Sequence, residues 1–477
     1  MMKLKNIIPL TFLLAALPHK ATASPVTTGK PNLLFIMTDD QSRWSVSSYG
    51  GKNLETPHID KLAAEGALFE NAFVDSPVCS PSRIAFLTGK HSSQVGVTDY
   101  LNRAQAKKAG ISPDHLSWPS VLQKSGYSTG LIGKWHVGSS EKSLPENNGF
   151  SYFVGNLAGG WSPKNPVFRN ERGERKKYVG YSVDVCTDLA MDFLSENKKK
   201  PFALLLNYRE PHAAYIPMPE VDMAAMKDLD PTIPQYPDLP EKKVKKLMRD
   251  YLTAVRAVDR NVGRLMQKLK ELGLDENTIV VFTSDHGYNM GHHGLQYKGN
   301  GYWLVEGKRG CRPNMFDTSV TIPLLIKWPG VVAGGTRVKL MVSNVDTFSS
   351  MLGMLGVAIP DNHQGQGRDY SPLLRGEKVQ GWRDSIFGQY QMINNSNHSM
   401  RMIRTTNWKL IRHYKVKGKD ELYHLLSDPG ERNNLYLDPQ HVADRNKLQQ
   451  RLDVWMKSIG DDPLSISPQR IQKKQVK

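Results

Sequence analysis

The chain has 477 residues, with 63 lysines and arginines against 46 acidic residues and a formal net charge of +17. That length is too great for one small domain and allows a large core with a second module, while only three cysteines exclude a disulfide-built scaffold. The charge suits polyanions such as sulfated polysaccharide, anionic lipid or nucleic acid, but no helix-turn-helix, zinc-finger or RNA-binding signature accompanies it, which sets nucleic acid aside.

In chain order, residues 1–23 read as an export signal. Lys3 and Lys5 form a positive start, an apolar run follows from Ile7 to Leu17, and "ATAS" offers a small-residue cleavage site after Ala23. The apolar run is too short to span a bilayer, and no stop-transfer pattern follows, so no stable membrane anchor is expected. The mature chain, Ser24 to Lys477, is expected outside the cytoplasm, periplasmic or secreted.

Four short apolar runs end in polar clusters. "NLLFIM" runs into Thr38-Asp39-Asp40, "STGLIG" into Lys134-Trp135-His136, "FALLLN" into Glu210-Pro211-His212, and "TIVVF" into Thr283-Ser284-Asp285-His286. Runs this apolar suit strands covered on both faces. A helix is predicted from Glu241 to Leu272, with Val244, Leu247, Tyr251, Val255, Val258, Val262, Leu265 and Leu269 forming one apolar stripe and Gly273 the stop. Alternating strand and helix predicts an α/β fold with a large, mostly parallel sheet between helices. Ligands bind beyond the carboxyl ends of such strands, and each polar cluster falls at such an end. After Leu374 the texture changes. "DSIFGQY", "MRMIRTT", "WKLIRHYKV" and "DELYHLL" read as short antiparallel strands, and "VADRNKLQQRLDVWMKSIG" as a closing helix. The expected division is therefore a catalytic domain at 24–374 and a smaller α+β subdomain at 375–477.

Asp39 and Asp40 alone would serve equally as a helix cap. With Asp285 and His286 at another strand end they suit a hard cation such as calcium, which prefers oxygen ligands; a catalytic zinc site draws more on histidine, and no His-Glu-x-x-His segment is present. Lys134 and His136 are expected on one side of an extended segment. With Lys298 and His212 they would supply two ammonium groups for an anion and two imidazoles for moving protons. Cys79 lies in "SPVCSPSR", where Pro77 and Pro81 are expected to resist regular structure on either side. Cys186 falls in an apparent helix and Cys311 in a basic loop, and spacing does not pair them.

"CSPSR" from Cys79 to Arg83, followed by "LTGK", resembles the signature of the type I sulfatases of the alkaline phosphatase superfamily. "TDDQ", "GKWHVG", "EPH", "SDHG" and "HGLQYKGN" follow in that family's order, and "DELYHLLSDPGERNNL" is similar to its C-terminal motif. The resemblance covers nearly the whole mature chain. It implies that a maturation enzyme oxidises Cys79 to Cα-formylglycine while the segment is unfolded, with Pro81 and Arg83 in the recognised motif. One hydroxyl of the hydrated aldehyde would attack sulfur, and re-formation of the aldehyde would expel sulfate. By the same resemblance Asp39, Asp40, Asp285 and His286, together with the residue derived from Cys79, would bind one calcium ion. Arg83 would hold the hydrate and the metal carboxylates. Lys134 and Lys298 would bind sulfate oxygens, His212 with Lys298 would protonate the leaving alcohol, and His136 would deprotonate the second hydroxyl. Members often carry asparagine where this chain has His286; either can ligate a metal.

The segment from Gly299 to Pro313 is longer than the family pattern. Tyr302 and Trp303 are expected to stack on sugar, and Lys308, Arg309 and Arg312 to meet further sulfates; a surface excursion without ligand fits the same residues. The function implied is hydrolysis of a sulfate ester on a carbohydrate, a polysaccharide or oligosaccharide. The alternatives are a phosphodiesterase or phosphonate hydrolase with the same aldehyde site, and a non-catalytic binder of sulfated glycans.

Overall fold

In the computed structural model, which describes residues 29–465, Asn32–Asp39 is a strand buried along its whole length. A strand covered on both faces has no solvent side, which is why the sequence shows a continuous apolar run. Leu33, Phe35 and Met37 enter one core and Leu34 and Ile36 the other, the two-residue alternation of a pleated strand. Both neighbours are parallel: Leu33 pairs with Ala203 on one side and with Ile279 on the other. The full sheet has ten strands, in the order Thr336–Val338, Ala67–Phe69, Leu324–Lys327, Thr278–Ser284, Asn32–Asp39, Phe202–Pro211, Ser128–Lys134, Tyr152–Asn156, Val167–Arg169 and Arg175–Lys177. The central five are parallel; Leu324–Lys327 is antiparallel to both of its neighbours, Thr336–Val338 pairs parallel with Ala67–Phe69 at that edge, and the last two strands of the other edge are antiparallel. The expected α/β fold is therefore observed, with a mixed sheet whose parallel part is the middle.

Four adjacent central strands end in the four polar clusters. Ser284, Asp39, Pro211 and Lys134 close neighbouring strands, so residues far apart in sequence emerge side by side at one edge of the sheet. Helices cover both faces. Glu241–Glu271 packs on one with Ser182–Asn197. Its stripe is buried as expected, except that Leu247 is half-buried and Met248 takes the inward position. Gly273 follows in a left-handed conformation, φ 67°, which a residue without a side chain adopts at little cost. The other face carries Cys79–Thr88, Trp118–Lys124 and Thr347–Met354. Among the described residues no helix is long and apolar enough to cross a membrane; the expected signal, 1–23, lies outside them. All three cysteines are free.

The expected small sheet is present as Ser385–Met392, His398–Thr405, Trp408–His413 and Glu421–His424, antiparallel in sequence order. Helix Val442–Ser458 closes one face with Leu448, Leu452 and Trp455 against Ile403, Leu410 and Leu422. The other face, with Ile386, Tyr390, Met400 and Met402, belongs to the core of the large sheet. An ionic knot secures this junction. Fully buried Lys409 reaches Asp317 Oδ1 at 2.6 Å, Glu431 Oε1 at 2.6 Å and the Met315 carbonyl at 3.0 Å. Asp317 also meets Arg404 at 3.2 Å, and its amide donates to Glu431 Oε2 at 2.6 Å. Burial would raise Asp317, but Lys409 and Arg404 hold it far below the usual carboxylate range. Glu431 lies within the C-terminal motif, which thus has a structural use: its carboxyl, raised to about 7 by burial, accepts from a buried lysine whose charge Asp317 balances. Removing one member of such a knot strands the others without counter-charge. Lys409→Met should cost about 3–5 kcal/mol of stability, measured by denaturant unfolding.

Candidate active site

Cys79 is the first residue of helix Cys79–Thr88, and every residue of that helix is buried. The irregular backbone expected around the two prolines is absent on the C-terminal side. Pro81 sits in the first turn, where an amide hydrogen would lack an intrahelical acceptor in any case, so proline is tolerated there. The four-residue spacing places Arg83 on the same helical face as Cys79. The helix start also presents unpaired amides and the positive end of the helix dipole, which favour an anion.

Eight of the expected residues converge there. Cys79 Sγ lies 3.4 Å from Asp39 Oδ1, 3.3 Å from His286 Nε2 and 3.3 Å from Lys298 Nζ. Lys134 pairs with Asp39, and Lys298 with Asp40 Oδ1 at 2.6 Å. Arg83 Nε donates to Asp285 Oδ2 at 2.9 Å, and its Nη1 donates to the Lys134 carbonyl at 3.1 Å. His286 Nε2 lies 3.3 Å from Asp285 Oδ1, and its Nδ1 lies 3.0 Å from the Gly287 carbonyl. The Gly287 carbonyl accepts from Nδ1, which turns Nε2 toward the cluster. His212 joins at the rim, with Nε2 3.7 Å from Asp40 Oδ2; at 29% exposure its side chain is the most accessible of the ten.

His136 departs from expectation. The strand stops at Lys134, and His136 has a left-handed backbone, φ 57°, so the two do not share a face by strand alternation. Its Nε2 donates to the Leu101 carbonyl at 3.0 Å, and Nδ1 is buried without a partner. Leu101 is tied in turn to Ser80, its amide donating to Ser80 Oγ at 3.0 Å. His136 is thus held through the residue that follows Cys79.

Burial dominates the electrostatics, and the charges decide which way each group moves. Burial raises Asp40 to about 7 despite Lys298. Asp39, equally buried, is held well below the ordinary range by Lys134, His212 and Lys298. Burial and Asp39 push the Cys79 thiol up, but Lys134 and Lys298 outweigh them and lower it. Burial would lower His286, yet Asp285 lifts it to about 9. Burial keeps His136 and His212 well below the usual imidazole value.

Several supporting residues gave no sequence signal. Ser82 Oγ donates to the Asp285 carbonyl, and Asn344 Nδ2 reaches Ser82 Oγ at 3.0 Å. Tyr251 Oη donates to the Asp40 carbonyl at 2.8 Å, from the middle of the longest helix. Asn207 Nδ2 holds the Lys134 carbonyl at 2.9 Å. Each is an ordinary polar residue whose role exists only once distant strands meet.

The segment after Lys298 sends its two aromatic side chains to different places. Tyr302 and Trp303 form a short strand against Leu295–Tyr297, with Gln296 opposite Tyr302 and Leu295 opposite Trp303. The two aromatic rings therefore face opposite ways. Tyr302 stands beside Tyr297, ring centroids 6.0 Å apart. Trp303 and Arg312 instead line a cleft of about 870 Å³ with His293, Phe316 and His413, and none of the ten residues above lines it. Lys308 covers Trp303, its Nζ 4.5 Å from the ring centroid, and Arg312 meets Glu421 at 3.4 Å.

Residues 31–357 match the sulfatase family profile. The chain belongs to the sulfatase family. Residues 310–458 match the C-terminal unit of N-sulphoglucosamine sulphohydrolase. The N-acetylglucosamine-6-O-sulfatase of Bacteroides thetaiotaomicron is 29% identical over 94% of this chain and 90% of its own. An ulvan-active sulfatase of Formosa agariphila is 28% identical over 91% and 82%. A solved structure of a protein in complex with its substrate D-glucosamine-2-N,6-O-disulfate superposes with a TM-score of 0.80, at 26% identity over 91% of this chain and 99% of that one.

The donor set of this sulfatase fits a hard dication on two counts. Asp40 Oδ2 is buried without a hydrogen-bond partner, a costly state for a carboxylate oxygen unless a positive charge meets it. One ligand atom from each of Asp39, Cys79, Asp285 and His286 lies within 4.8 Å of the others, as do those of Asp39, Asp40 and His212. Without metal, Asp40 is raised from 3.8 to about 7. Its contribution to stability is then complete at low pH and lost as the pH rises through about 7. Metal binding needs the deprotonated oxygen. Adding calcium to chelator-treated protein should therefore raise Tm more at about pH 8 than at about pH 6, and Asp40→Asn should flatten that difference in scanning calorimetry.

Proposed function

We propose that this sulfatase hydrolyses sulfate esters on a carbohydrate, with residue 79 acting as nucleophile after oxidation to Cα-formylglycine. The observation that carries this reading is the surroundings of Cys79: a buried position at a helix start, with Lys298 at 3.3 Å and Lys134 on the adjoining Asp39. A buried cysteine with two ammonium groups around it is placed to meet an anion. The carbohydrate part is supported by relatives named for N-acetylglucosamine sulfate and ulvan, aligned over more than nine-tenths of this chain. It is supported too by the structural neighbour holding a sulfated glucosamine.

Asp39, Asp40, Asp285 and His286 would hold calcium, whose charge would draw electron density from the sulfate oxygens. A hydrated aldehyde at position 79 supplies one hydroxyl to attack sulfur and a second whose deprotonation re-forms the aldehyde and expels sulfate. The remaining work falls to this chain's own side chains. Arg83 fixes Asp285 and the turn at Lys134, holding two strand ends in register. Lys134 and Lys298 leave their carboxylates for sulfate oxygens, balancing charge that spreads over them as the ester bond breaks. His212 Nε2, on the open side, passes a proton to the leaving oxygen; an incoming anionic ester raises its proton affinity. His136 is kept neutral by burial, and its Nδ1 lone pair, bare in the structure, accepts the proton from the second hydroxyl.

Export by residues 1–23, maturation by a formylglycine-generating enzyme, and the division at 374/375 belong to the same reading. Mass spectrometry of active protein should show the peptide containing residue 79 lighter than encoded and reactive toward hydrazide. Cys79→Ala should lose all measurable release of sulfate from 4-nitrophenyl sulfate. Full turnover by protein carrying unmodified cysteine would overturn the mechanism. Faster hydrolysis of 4-nitrophenyl phosphate than of the sulfate would favour phosphoester chemistry.

A further inference from the structure

Three side chains from three distant segments meet in a line of hydrogen bonds. Tyr100 Oη donates to Asn395 Oδ1 at 2.9 Å, and Asn395 Nδ2 donates to Tyr302 Oη at 2.6 Å. Both ends of this line are tied to the reaction site. At one end, Tyr100 precedes Leu101, whose carbonyl holds His136 and whose amide reaches Ser80, next to Cys79. At the other, Tyr302 packs on Tyr297, next to Lys298. The line therefore runs from the side of the proton-accepting histidine to the side of the sulfate-binding lysine.

The middle of the line is built to stay in place. Asn395 lies in the turn between strands Ser385–Met392 and His398–Thr405. Buried Asp99 clamps that turn: its Oδ2 accepts from the amides of Ile393 at 2.9 Å and Asn394 at 3.0 Å, and its Oδ1 from the amide of Tyr100 at 2.8 Å. Asn394 Nδ2 adds a bond to the Tyr100 carbonyl at 2.7 Å. Asn395 is nonetheless exposed, and Tyr302 is 37% exposed. A fixed turn that still presents an amide and a flat phenol to solvent is a surface for a ligand with hydroxyls and apolar ring faces. The three side chains offer two phenols and an amide, in contrast to the charged cluster below. They would read a ring and its hydroxyls, leaving the anion to the lysines.

We propose that Tyr100, Asn395 and Tyr302 form the recognition rim for the sugar ring that carries the scissile sulfate, with Asp99 as the positioning residue that sets the rim's height. Asn395 and the Tyr302 hydroxyl bond the sugar's hydroxyls, and the exposed tyrosine ring covers an apolar face. This rests on the carbohydrate reading above. The test uses full-length protein matured at residue 79, with 4-nitrophenyl sulfate and a panel of singly sulfated N-acetylglucosamine, galactose and heparin disaccharides.

On the saccharide that the wild type cleaves best, the ratio of its kcat/KM to that on the aryl sulfate should fall about tenfold for Asn395→Ala and about threefold for Tyr302→Phe, chiefly through KM. Tyr302→Phe keeps the ring against Tyr297 and loses only the hydroxyl, so its effect is separable from loss of packing. Asp99→Asn should shift the ratio in the same direction, with retained aryl-sulfate turnover reporting a folded site. Equal losses on both substrates would show that these residues only support the reaction site, and an unchanged ratio would show that sugar does not touch them; either overturns the rim and leaves the carbohydrate reading intact. Wild-type release of sulfate from the aryl ester but from no saccharide would overturn that reading and the rim together.

Discussion

The structure is organised around a burden of buried charge. Asp39, Asp40 and Asp285 are fully buried at the ends of adjacent strands, and Arg83, Lys134 and Lys298 are buried against them. Arg83 meets Asp285, Lys134 meets Asp39 and Lys298 meets Asp40. None could be buried alone without a penalty of several kcal/mol, so each position is sustained by the others, and the sheet register that brings them together is indispensable. The same low-dielectric setting that makes the cluster expensive gives its charges long reach.

Around this centre, each supporting group limits what its neighbour can do. The Gly287 carbonyl orients His286, the Leu101 carbonyl orients His136, and the Ala213 carbonyl, 2.6 Å from His212 Nδ1, orients His212. In all three a backbone oxygen takes one ring nitrogen and leaves the other for the site. Tautomer choice is thereby built into the backbone and does not depend on a further titrating residue. His212 lies on the open side of the cluster and His136 on the enclosed one.

Much of this was legible in the sequence, for physical reasons that also mark the limit. Strands covered on both faces must be apolar throughout, so the runs ending at Asp39, Lys134, Pro211 and Ser284 stood out together with their polar ends. The long helix was readable because its stripe, from Val244 to Leu269, repeats over about seven turns. The start of the Cys79 helix was not, because proline is a breaker within a helix and harmless in its first turn, and composition does not distinguish the two. His136 was misplaced because a left-handed residue after a strand breaks the alternation that the reading assumed. Tyr302 and Trp303 looked equivalent as neighbouring aromatics; the strand that separates their faces is only two residues long. Tyr100, Asp99 and Asn395 carried no signal at all, since what makes them notable is meeting across nearly three hundred residues of chain.

The small sheet is packed on both of its faces. Ile403, Leu410 and Leu422 face its own helix, while Ile386, Met400 and Met402 are continuous with the main core. The boundary read from the change in sequence texture is therefore not a seam in the energetics. A chain ending before Ser385 would expose one wall of the larger core and leave Asp317 without its lysine. The two regions are expected to melt in a single cooperative transition, with the small sheet serving as part of the container that keeps the larger one dry.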